Sequence, residues 1–423
     1  MLFTEENELL TRTGPGTPMG EMIRRYWIPA LLSEELPEPD CAPVRVRLLG
    51  EDLVAFRDSK GRIGLLDEHC SHRGTSLFYG RNEDCGLRCI YHGWKYDIEG
   101  NVIETPAEPP GSTLKNKVLH KAYPCREAGG AVFTYMGPKE KTPLFPDYEW
   151  LMAPPDKVSA LKFYLECNYL QCLEGDCDSS HTNFLHSSNF TDRYYRPTVS
   201  DPLENPALRL ADSAPSYEIM ENRNGIQMAA IRKVDAHSNY VRTSCFVAPI
   251  IAIVPVGQIV DGKLDGASVV HQVPSDDNHT WRFNIRFRRK LPIAQRDKNR
   301  EREQVGSDYR LVANLHNDYL QDRQSQKSSS YIGIKGFTTQ DACVTESMGP
   351  IMNRSGEHLG ISDSYVIQVR KFLLEAVRAF QAGEDPPGLA YETTENFFPH
   401  LRSEIALLPP DVSWKTLFSG SRE

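Results

Sequence analysis

Short runs of alternating apolar and polar residues dominate the first third of the chain. Residues 44–48 read Val-Arg-Val-Arg-Leu and residues 53–56 read Leu-Val-Ala-Phe, and Gly50 lies between them. Two further runs, within residues 95–103, are separated by another glycine. Alternation with period two, interrupted by turn residues every ~8–12 positions, is typical of antiparallel strands. The pattern therefore predicts a small antiparallel sandwich, with its last strand at residues 131–135.

Three more strands are predicted further along, at residues 240–256, 267–273 and 281–288. The last of them alternates apolar with polar residues in the order Trp281, Arg282, Phe283, Asn284, Ile285, Arg286, Phe287 and Arg288. Because successive side chains of a strand point to opposite faces, this order predicts a half-buried strand with one solvent-facing side.

Helices and loops fill the remaining segments. We expect a helix at residues 162–186 and an irregular lid or substrate-facing region at residues 191–235. The segment at residues 296–335 is polar and rich in helix formers. A last helix is predicted to begin at a cap formed by Ser362 or Asp363, to carry apolar residues at helical spacing and to end at a glycine.

A proline-rich stretch divides the chain. Residues 138–155 contain five prolines, which is typical of a linker between domains. We expect an entry segment at 1–30, a β domain at 31–150 and a larger α+β domain at 151–423. The glycines of the entry segment lack the G-x-G-x-x-G spacing and no strand precedes them, so they do not predict a dinucleotide-binding loop.

Charge and composition limit the classes of partner. The 423 residues carry a formal net charge of −9, which argues against nucleic acid and against anionic membrane surfaces. The N-terminus lacks the basic region of a signal peptide, and no apolar run reaches the ~20 residues of a membrane span. We therefore expect a cytoplasmic protein. In that reducing compartment its ten cysteines are not a disulfide framework.

Two cysteine–histidine pairs carry the clearest chemistry. Cys70 and His72 are spaced C-x-H, Cys89 and His92 are spaced C-x-x-H, and a glycine follows each pair. A Rieske-type [2Fe–2S] cluster takes two cysteines on one iron and two histidines on the other. Mixed Cys/His sets also bind zinc, but zinc pairs usually join Cys with Cys and His with His. The spacing therefore favours the cluster over zinc.

A second group of ligand types lies at residues 178–186. Asp178 and His181 are three residues apart, which places them on one face of a helix. His181 and His186 are five apart, so a bend or a helix end must lie between them if they bind one metal. Two imidazoles and a carboxylate that leave open positions are typical of non-heme iron(II) oxygenases, whereas isolated histidines are often only surface residues.

These motifs resemble those of the Rieske non-heme iron oxygenases that hydroxylate aromatic rings, and the entry segment resembles the phthalate dioxygenase-type oxygenase component. The resemblance implies an N-terminal antiparallel β Rieske domain. It also implies a mixed α/β catalytic domain with an antiparallel sheet of the helix-grip, START-like kind. Its cofactors would be a [2Fe–2S] Rieske cluster and a mononuclear Fe(II).

The resemblance also implies roles for particular residues. His181, His186 and Asp341 would bind the mononuclear iron, with Glu346 as the next choice for the carboxylate; Glu357 and Asp363 are expected to be structural. Asp178 would connect His181 to His92 of a neighbouring subunit, which implies a homotrimer or two stacked trimers. Asn168 and Glu174 resemble positions that support the iron ligands.

The implied activity is that of a terminal oxygenase. It would use O2, and electrons from a separate NAD(P)H-dependent reductase with flavin and iron–sulfur groups, to dihydroxylate a phthalate-like aromatic acid. A carboxylate substrate needs a cation, and the candidates are Arg209, Arg232 and Arg242. Three alternatives remain: a monooxygenase or O-demethylase acting on a methoxylated aromatic acid, an electron-transfer Rieske protein without oxygenase activity, and a zinc-stabilised interaction module.

Overall fold

The computed structural model describes residues 2–191 and 201–418. Its first part contains two short helices and eleven short strands. The helices are α1 (Thr4–Thr11) and α2 (Pro18–Ile23). The strands are β1 (Trp27–Leu32), β2 (Val44–Leu48), β3 (Glu51–Arg57), β4 (Ile63–Asp67), β5 (Arg81–Glu83), β6 (Gly86–Arg88), β7 (Lys95–Tyr96), β8 (Val102–Glu104), β9 (Ala122–Tyr123), β10 (Cys125–Ala128) and β11 (Ala131–Tyr135).

These strands form three small antiparallel sheets, in the orders β1-β11-β10, β2-β3-β4-β9 and β5-β6-β7-β8. Strand β3 is central in its sheet and buries four consecutive side chains, residues 53–56, because both of its faces are covered. The sheet β5-β6-β7-β8 is different, since its strands are two or three residues long. It supports the two cysteine–histidine loops.

The second part is built on one large antiparallel sheet. Its strands run in the order β12-β20-β19-β16-β15-β14-β13, and β21 pairs with β15. The bounds are β12 (Val158–Leu165), β13 (Ser216–Asn222), β14 (Gly225–Lys233), β15 (Asn239–Val247), β16 (Ile251–Val254), β19 (Ala267–Asp276), β20 (His279–Phe287) and β21 (Ile405–Leu408); β17 (Ile259–Val260) and β18 (Lys263–Leu264) form a separate hairpin.

The described residues of this part also form seven α-helices. They are α3 (Tyr169–Asp176), α4 (Ser187–Thr191), α5 (Pro206–Leu210), α6 (Gln295–Arg302), α7 (Arg323–Ser328), α8 (Phe337–Glu346) and α9 (Ser364–Gln381). In α9 the buried Val366, Val369, Leu373 and Val377 recur every three or four residues, the spacing that gives a helix one apolar face. The predicted α+β class, with an antiparallel β domain before a helix-covered antiparallel sheet, is confirmed.

The predicted helix at residues 162–186 is wrong in its first half and too long in its second. Residues 158–165 form β12, in antiparallel register with β20, and helix α3 begins only at Tyr169. Lys162 interrupts the apolar–polar alternation expected of a strand, because this polar side chain is buried. Its ammonium lies 2.7 Å from the Glu35 carboxylate and 4.5 Å from the ring centre of Trp281. Charged side chains usually mark the solvent-facing side of an element, but a lysine paired with a carboxylate can be buried.

Two further expectations are also corrected. Much of residues 191–235 is not irregular, because β13 and β14 form a hairpin there that continues the large sheet; residues 192–200 lie outside the described residues. On β20 the side expected to face solvent carries Arg282, which is only 8% exposed and pairs with Asp176 of α3. The hairpin is stabilised by sheet pairing, and the partner of Arg282 lies more than 90 residues earlier in the chain. Neither interaction is visible in the local sequence pattern.

Among the described residues, no helix has the length and apolar character needed to cross a membrane.

Candidate active site

Two similar loops hold the cysteine–histidine pairs. In the first, the amide of Gly74 donates to the carbonyl of Cys70 at 2.8 Å, and in the second, Gly93 donates to Cys89 at 3.0 Å. Both glycines have positive φ, 74° and 73°. A Cβ on Gly93 would lie 2.6 Å from the Pro106 ring, so this turn requires glycine both for its backbone and for space.

The four side chains project from these loops towards each other. Cys70 and Cys89 are each 3% exposed, and the Cys70 sulfur lies 3.0 Å from the hydroxyl of Tyr96. The His72 and His92 rings are 4.5 Å apart between centres. His92 Nδ1 is buried and has no hydrogen-bond partner among the described residues. A buried nitrogen without a partner is costly, and a metal ligand bond at this atom would remove that cost.

A single zinc ion and a two-iron cluster place different demands on these four donors. In a tetrahedral zinc site all four donor atoms lie ~2.0–2.3 Å from the metal, and therefore within about 4 Å of one another. Cys70, Cys89, His72 and His92 supply two thiolates and two imidazoles, the donor set of a cluster with a cysteine iron and a histidine iron. Within the described ranges, one compact group of three metal-ligand side chains lies elsewhere.

That one group is His181, His186 and Asp341, whose ligand atoms all lie within 4.8 Å of one another. His186 Nε2 is 2.9 Å and His181 Nε2 is 3.8 Å from the same oxygen, Oδ1 of Asp341. The bend that the five-residue spacing demands is present, because a single 3-10 turn, His181–Asn183, ends before His186. Asp341 comes from α8, so the donors converge from two distant segments. Two imidazoles and one carboxylate at this spacing fit a divalent iron.

The charges within this group stabilise one another. Burial alone raises the pKa of Asp341, but the neighbouring imidazoles of His186 and His181 and the Arg282 guanidinium outweigh it and lower the pKa to about 2. Burial lowers the pKa of His181, but Asp178 and Asp341 outweigh it and raise that pKa above its ordinary value. The carboxylate is therefore ionised at neutral pH, as a metal ligand must be.

Asp178 lies beside this group but not on a helix, since α3 ends two residues earlier. Its carboxylate accepts the amide hydrogens of Ser180 at 2.7 Å and of His181 at 3.3 Å. Oδ2 also lies 3.4 Å from Nδ1 of His181, and the side chain is 28% exposed. Asp178 thus holds His181 from one side and still presents carboxylate surface to the outside.

Asn168 and Glu174, in contrast, make their hydrogen bonds and ion pairs away from the three iron-ligand candidates. Asn168 caps α3 and donates to the carbonyls of Thr11 and Asp277. The Glu174 carboxylate is buried between the guanidiniums of Arg354 and Arg370. Both residues fix α3 in the fold and act on the site only through that helix.

The other acids also point elsewhere. Glu346 accepts the amide of Glu166 at 2.7 Å, Glu357 pairs with Arg370, and Asp363 accepts the amide of Gly360 at 2.7 Å. These contacts match the structural role expected of Glu357 and Asp363.

The three arginine candidates are all buried. Arg232 donates to the carbonyls of Ser179 and Asp212, and Arg242 donates to that of Pro255. Ala230 of β14 lies opposite Arg242 of β15, so Arg232, two residues on, shares that face of the sheet. In the described part of the chain, Nη1 of both arginines is buried without a hydrogen-bond partner. Arg209 is 8% exposed on α5, and its carbonyl accepts from Asn183, close to the His181–His186 segment.

Sequence reasoning missed three residues next to the iron-ligand candidates. Asp176 is buried and pairs with Arg282 at 2.9 Å, and both interact electrostatically with Asp341. Gln340 accepts a hydrogen bond from the ring of His186 at 2.7 Å. The only sequence signal for Gln340 was its position directly before Asp341, because its partner lies 154 residues away.

Both parts of the chain are similar to known proteins. Residues 26–124 match the Rieske [2Fe-2S] domain family and residues 134–422 match the LigXa C-terminal domain like family. The chain is 42% identical, over 98% of its length and 94% of the relative's, to the phthalate 4,5-dioxygenase oxygenase subunit of Pseudomonas putida. It is 37% identical, over 99% and 98%, to the 3-chlorobenzoate-3,4-dioxygenase oxygenase subunit of Comamonas testosteroni. The solved structure of Pseudomonas putida CBB5 NdmA has a similar fold, with TM-score 0.59, 21% identity, and coverage of 86% of this chain and 93% of that one.

Proposed function

The chain belongs to the Rieske oxygenases, enzymes with a [2Fe–2S] cluster and a mononuclear iron, and on this basis we propose that it is the terminal oxygenase component of a multicomponent aromatic-acid dioxygenase. The observation that carries the proposal is the convergence of His181, His186 and Asp341 in the same chain as the two cysteine–histidine loops. An electron carrier alone has no use for this second group.

Cys70 and Cys89 would bind one iron of the cluster and His72 and His92 the other. The unpartnered buried Nδ1 of His92 supports this assignment, as does the Tyr96 hydroxyl beside the Cys70 sulfur. A hydrogen bond to a ligand sulfur stabilises the negative charge that increases when the cluster is reduced.

His181, His186 and Asp341 would hold the mononuclear iron. When bound, the cluster supplies single electrons and the mononuclear iron supplies the binding and activation of O2. The chain's own contribution is placement: Asp178 and Gln340 orient the two imidazoles, and the low pKa of Asp341 keeps its carboxylate ready to bind.

Asp178 would also connect subunits. Its carboxylate touches His181 and is partly exposed, so a neighbouring subunit's His92 can reach it, as the family resemblance implies. A ring in which each cluster serves the next subunit's iron requires closed symmetry, a trimer or two stacked trimers.

The proposed substrate is a phthalate-like aromatic acid. Support comes from Arg232 and Arg242, which share one face of the sheet and each keep a buried Nη1 without a described partner. A carboxylate would satisfy these donors with charge-assisted hydrogen bonds. Arg209, on α5, is the third candidate. In the proposed reaction the ring, O2, two electrons and two protons give a cis-dihydrodiol. The electrons would come from a separate NAD(P)H-dependent reductase. Two relatives support this, because each is named as the oxygenase subunit of a dioxygenase, and such a name implies a further component.

The test is a panel of aromatic acids, their neutral amides and methoxylated acids, assayed with a surrogate reductase under ¹⁸O2. Two labelled oxygens in the product of an aromatic acid are expected. One labelled oxygen, or formaldehyde from a methoxy group, would instead support a monooxygenase or O-demethylase.

Arg232→Met and Arg242→Met test the anion site with the same assay. Each is expected to raise KM for the acid about tenfold to a hundredfold, the value of a lost charge-assisted hydrogen bond, and to leave KM for the amide nearly unchanged. An equal rise for acid and amide would contradict a carboxylate-binding role.

A further inference from the structure

Gln340 lies between the iron-ligand candidates and the core of the protein. Its side chain is fully buried, and its Oε1 is 2.7 Å from Nδ1 of His186. Gln340 directly precedes Asp341 on α8, so one turn of one helix carries both a candidate ligand and the group that contacts another ligand's far nitrogen.

The orientation of the Gln340 amide follows from its other contacts. Its Nε2 donates to the carbonyl of Ile334 at 2.7 Å, and a carbonyl can only accept. Oε1 must therefore be the atom that faces His186, where it also accepts from Nδ2 of Asn189 at 2.8 Å. Reversing the amide would place two acceptors against each other at Ile334 and leave a buried polar group unsatisfied.

A fixed acceptor determines where the hydrogen of the imidazole lies. Because Oε1 of Gln340 has no hydrogen to give, Nδ1 of His186 must carry the hydrogen and donate it. The lone pair of a neutral His186 is then on Nε2, the atom that points to Asp341 at 2.9 Å.

We propose that Gln340 is a positioning residue that selects the Nδ1–H form of His186 and fixes its ring so that Nε2 is presented to the metal. The inference rests on the proposed function, since it assumes that His186 binds the mononuclear iron. It also distinguishes the two imidazoles, because His181 faces the charged, partly exposed Asp178 whereas His186 faces a neutral, fully buried amide.

The test measures metal binding rather than turnover. Anaerobic calorimetric titration of Fe(II) into protein that retains its cluster but lacks the mononuclear iron is expected to show one tight site. Gln340→Leu is expected to weaken this site about 10–100-fold, the usual effect of losing the hydrogen-bond partner of a ligating histidine. Gln340→Glu keeps an oxygen acceptor for Nδ1, and its protonated form can still donate to the Ile334 carbonyl, so it is expected to weaken Fe(II) binding less than Gln340→Leu does.

Gln171→Leu is the matched control. Gln171 is also a buried glutamine; it donates to the carbonyls of Thr345 and Gly349 and accepts from the amide of Met352, and none of these is a candidate ligand. It is expected to lower the melting temperature without weakening Fe(II) binding. Equal loss of affinity in the Gln171 and Gln340 leucine variants would overturn the inference, because the effect would then be general destabilisation.

Two further readouts separate the possible failures. If His186→Ala binds Fe(II) as tightly as wild type, the proposed iron site is wrong; if that variant loses the site but Gln340→Leu does not, only the inference about Gln340 is wrong. Should the leucine variant not fold, ¹⁵N NMR of histidine-labelled wild-type protein with Zn(II) in the mononuclear site decides. A hydrogen on Nδ1 of His186 is expected, and a hydrogen on Nε2 would overturn the proposal.

Discussion

Replacing Asp178 with asparagine is expected to weaken the proposed connection between the cluster and the mononuclear iron without removing a ligand of either. Asparagine keeps one oxygen that can accept the amide hydrogen of Ser180, so the local turn is expected to survive. The atom that replaces Oδ2, now 3.4 Å from Nδ1 of His181, becomes an NH2 group that cannot accept its hydrogen. The variant therefore loses the contact from Nδ1 of His181 and the 3.3 Å contact from its backbone amide. The charge-assisted contact from Nδ1 is worth roughly 1.5–3 kcal/mol, or about 10–100-fold in a rate that depends on it.

The assay is a single turnover. Protein with reduced cluster, Fe(II) and aromatic acid is mixed rapidly with O2, and cluster oxidation is followed by absorbance while product is counted. Asp178→Asn is expected to slow cluster oxidation about 10–100-fold at unchanged iron and sulfide content. Asp277→Asn is the control, since Asp277 is also 28% exposed and accepts a backbone amide, that of Thr13, but lies away from the site. Wild-type cluster oxidation in Asp178→Asn would refute the bridging role.

Three other predictions concern the cluster and the fold. Tyr96→Phe removes the hydroxyl that lies near the Cys70 sulfur. If the hydrogen bond to this sulfur strengthens by about 1 kcal/mol on reduction, the variant is expected to lower the reduction potential of the cluster by about 40 mV. Protein-film voltammetry measures the potential, and an unchanged value would contradict the hydrogen bond. Arg354→Met leaves Glu174 with Arg370 alone and is expected to cost about 3 kcal/mol of unfolding free energy in urea, the lower end for a broken buried pair; a loss below about 1 kcal/mol would argue against it. Burial raises the pKa of Glu174, but the two arginines outweigh it and lower that pKa below its ordinary value of 4.5. The stabilisation that ionised Glu174 gives the fold is therefore complete above pH 4.5 and is lost as pH falls further. Acid unfolding of Arg354→Met should show a smaller loss of stability over that range, and parallel curves for the variant and wild type would contradict the coupling.

Local patterns made part of this fold predictable. The alternation on β20 and the spacing of apolar residues on α9 are properties of neighbouring residues, and both elements form where they were expected. The Cys70–His72 and Cys89–His92 pairs were equally visible, because each pair and its glycine lie within one loop.

Residues whose environment is set by distant partners could not be read in the same way. Lys162 and Arg282 look like solvent-facing residues on their strands, yet each is buried against an acid from another element, Glu35 and Asp176. Asp341 came only from resemblance, since no local pattern connects it to histidines more than 150 residues earlier.

The same limit applies to Gln340 and to the arginines. A glutamine in a helix is ordinary until the fold places His186 and the Ile334 carbonyl on either side of its amide. Likewise, Arg232 and Arg242 became a pair only through the register of β14 with β15.

Iron and acid-labile sulfide analysis of the purified protein tests the central claim, two separate iron sites in one chain, most directly. We expect about three irons and two sulfides per chain, with one iron lost and both sulfides kept in His186→Ala. We also expect Cys89→Ala to lose the sulfides. Two irons and two sulfides in fully reconstituted wild type, unchanged by His186→Ala, would contradict it and leave an electron carrier.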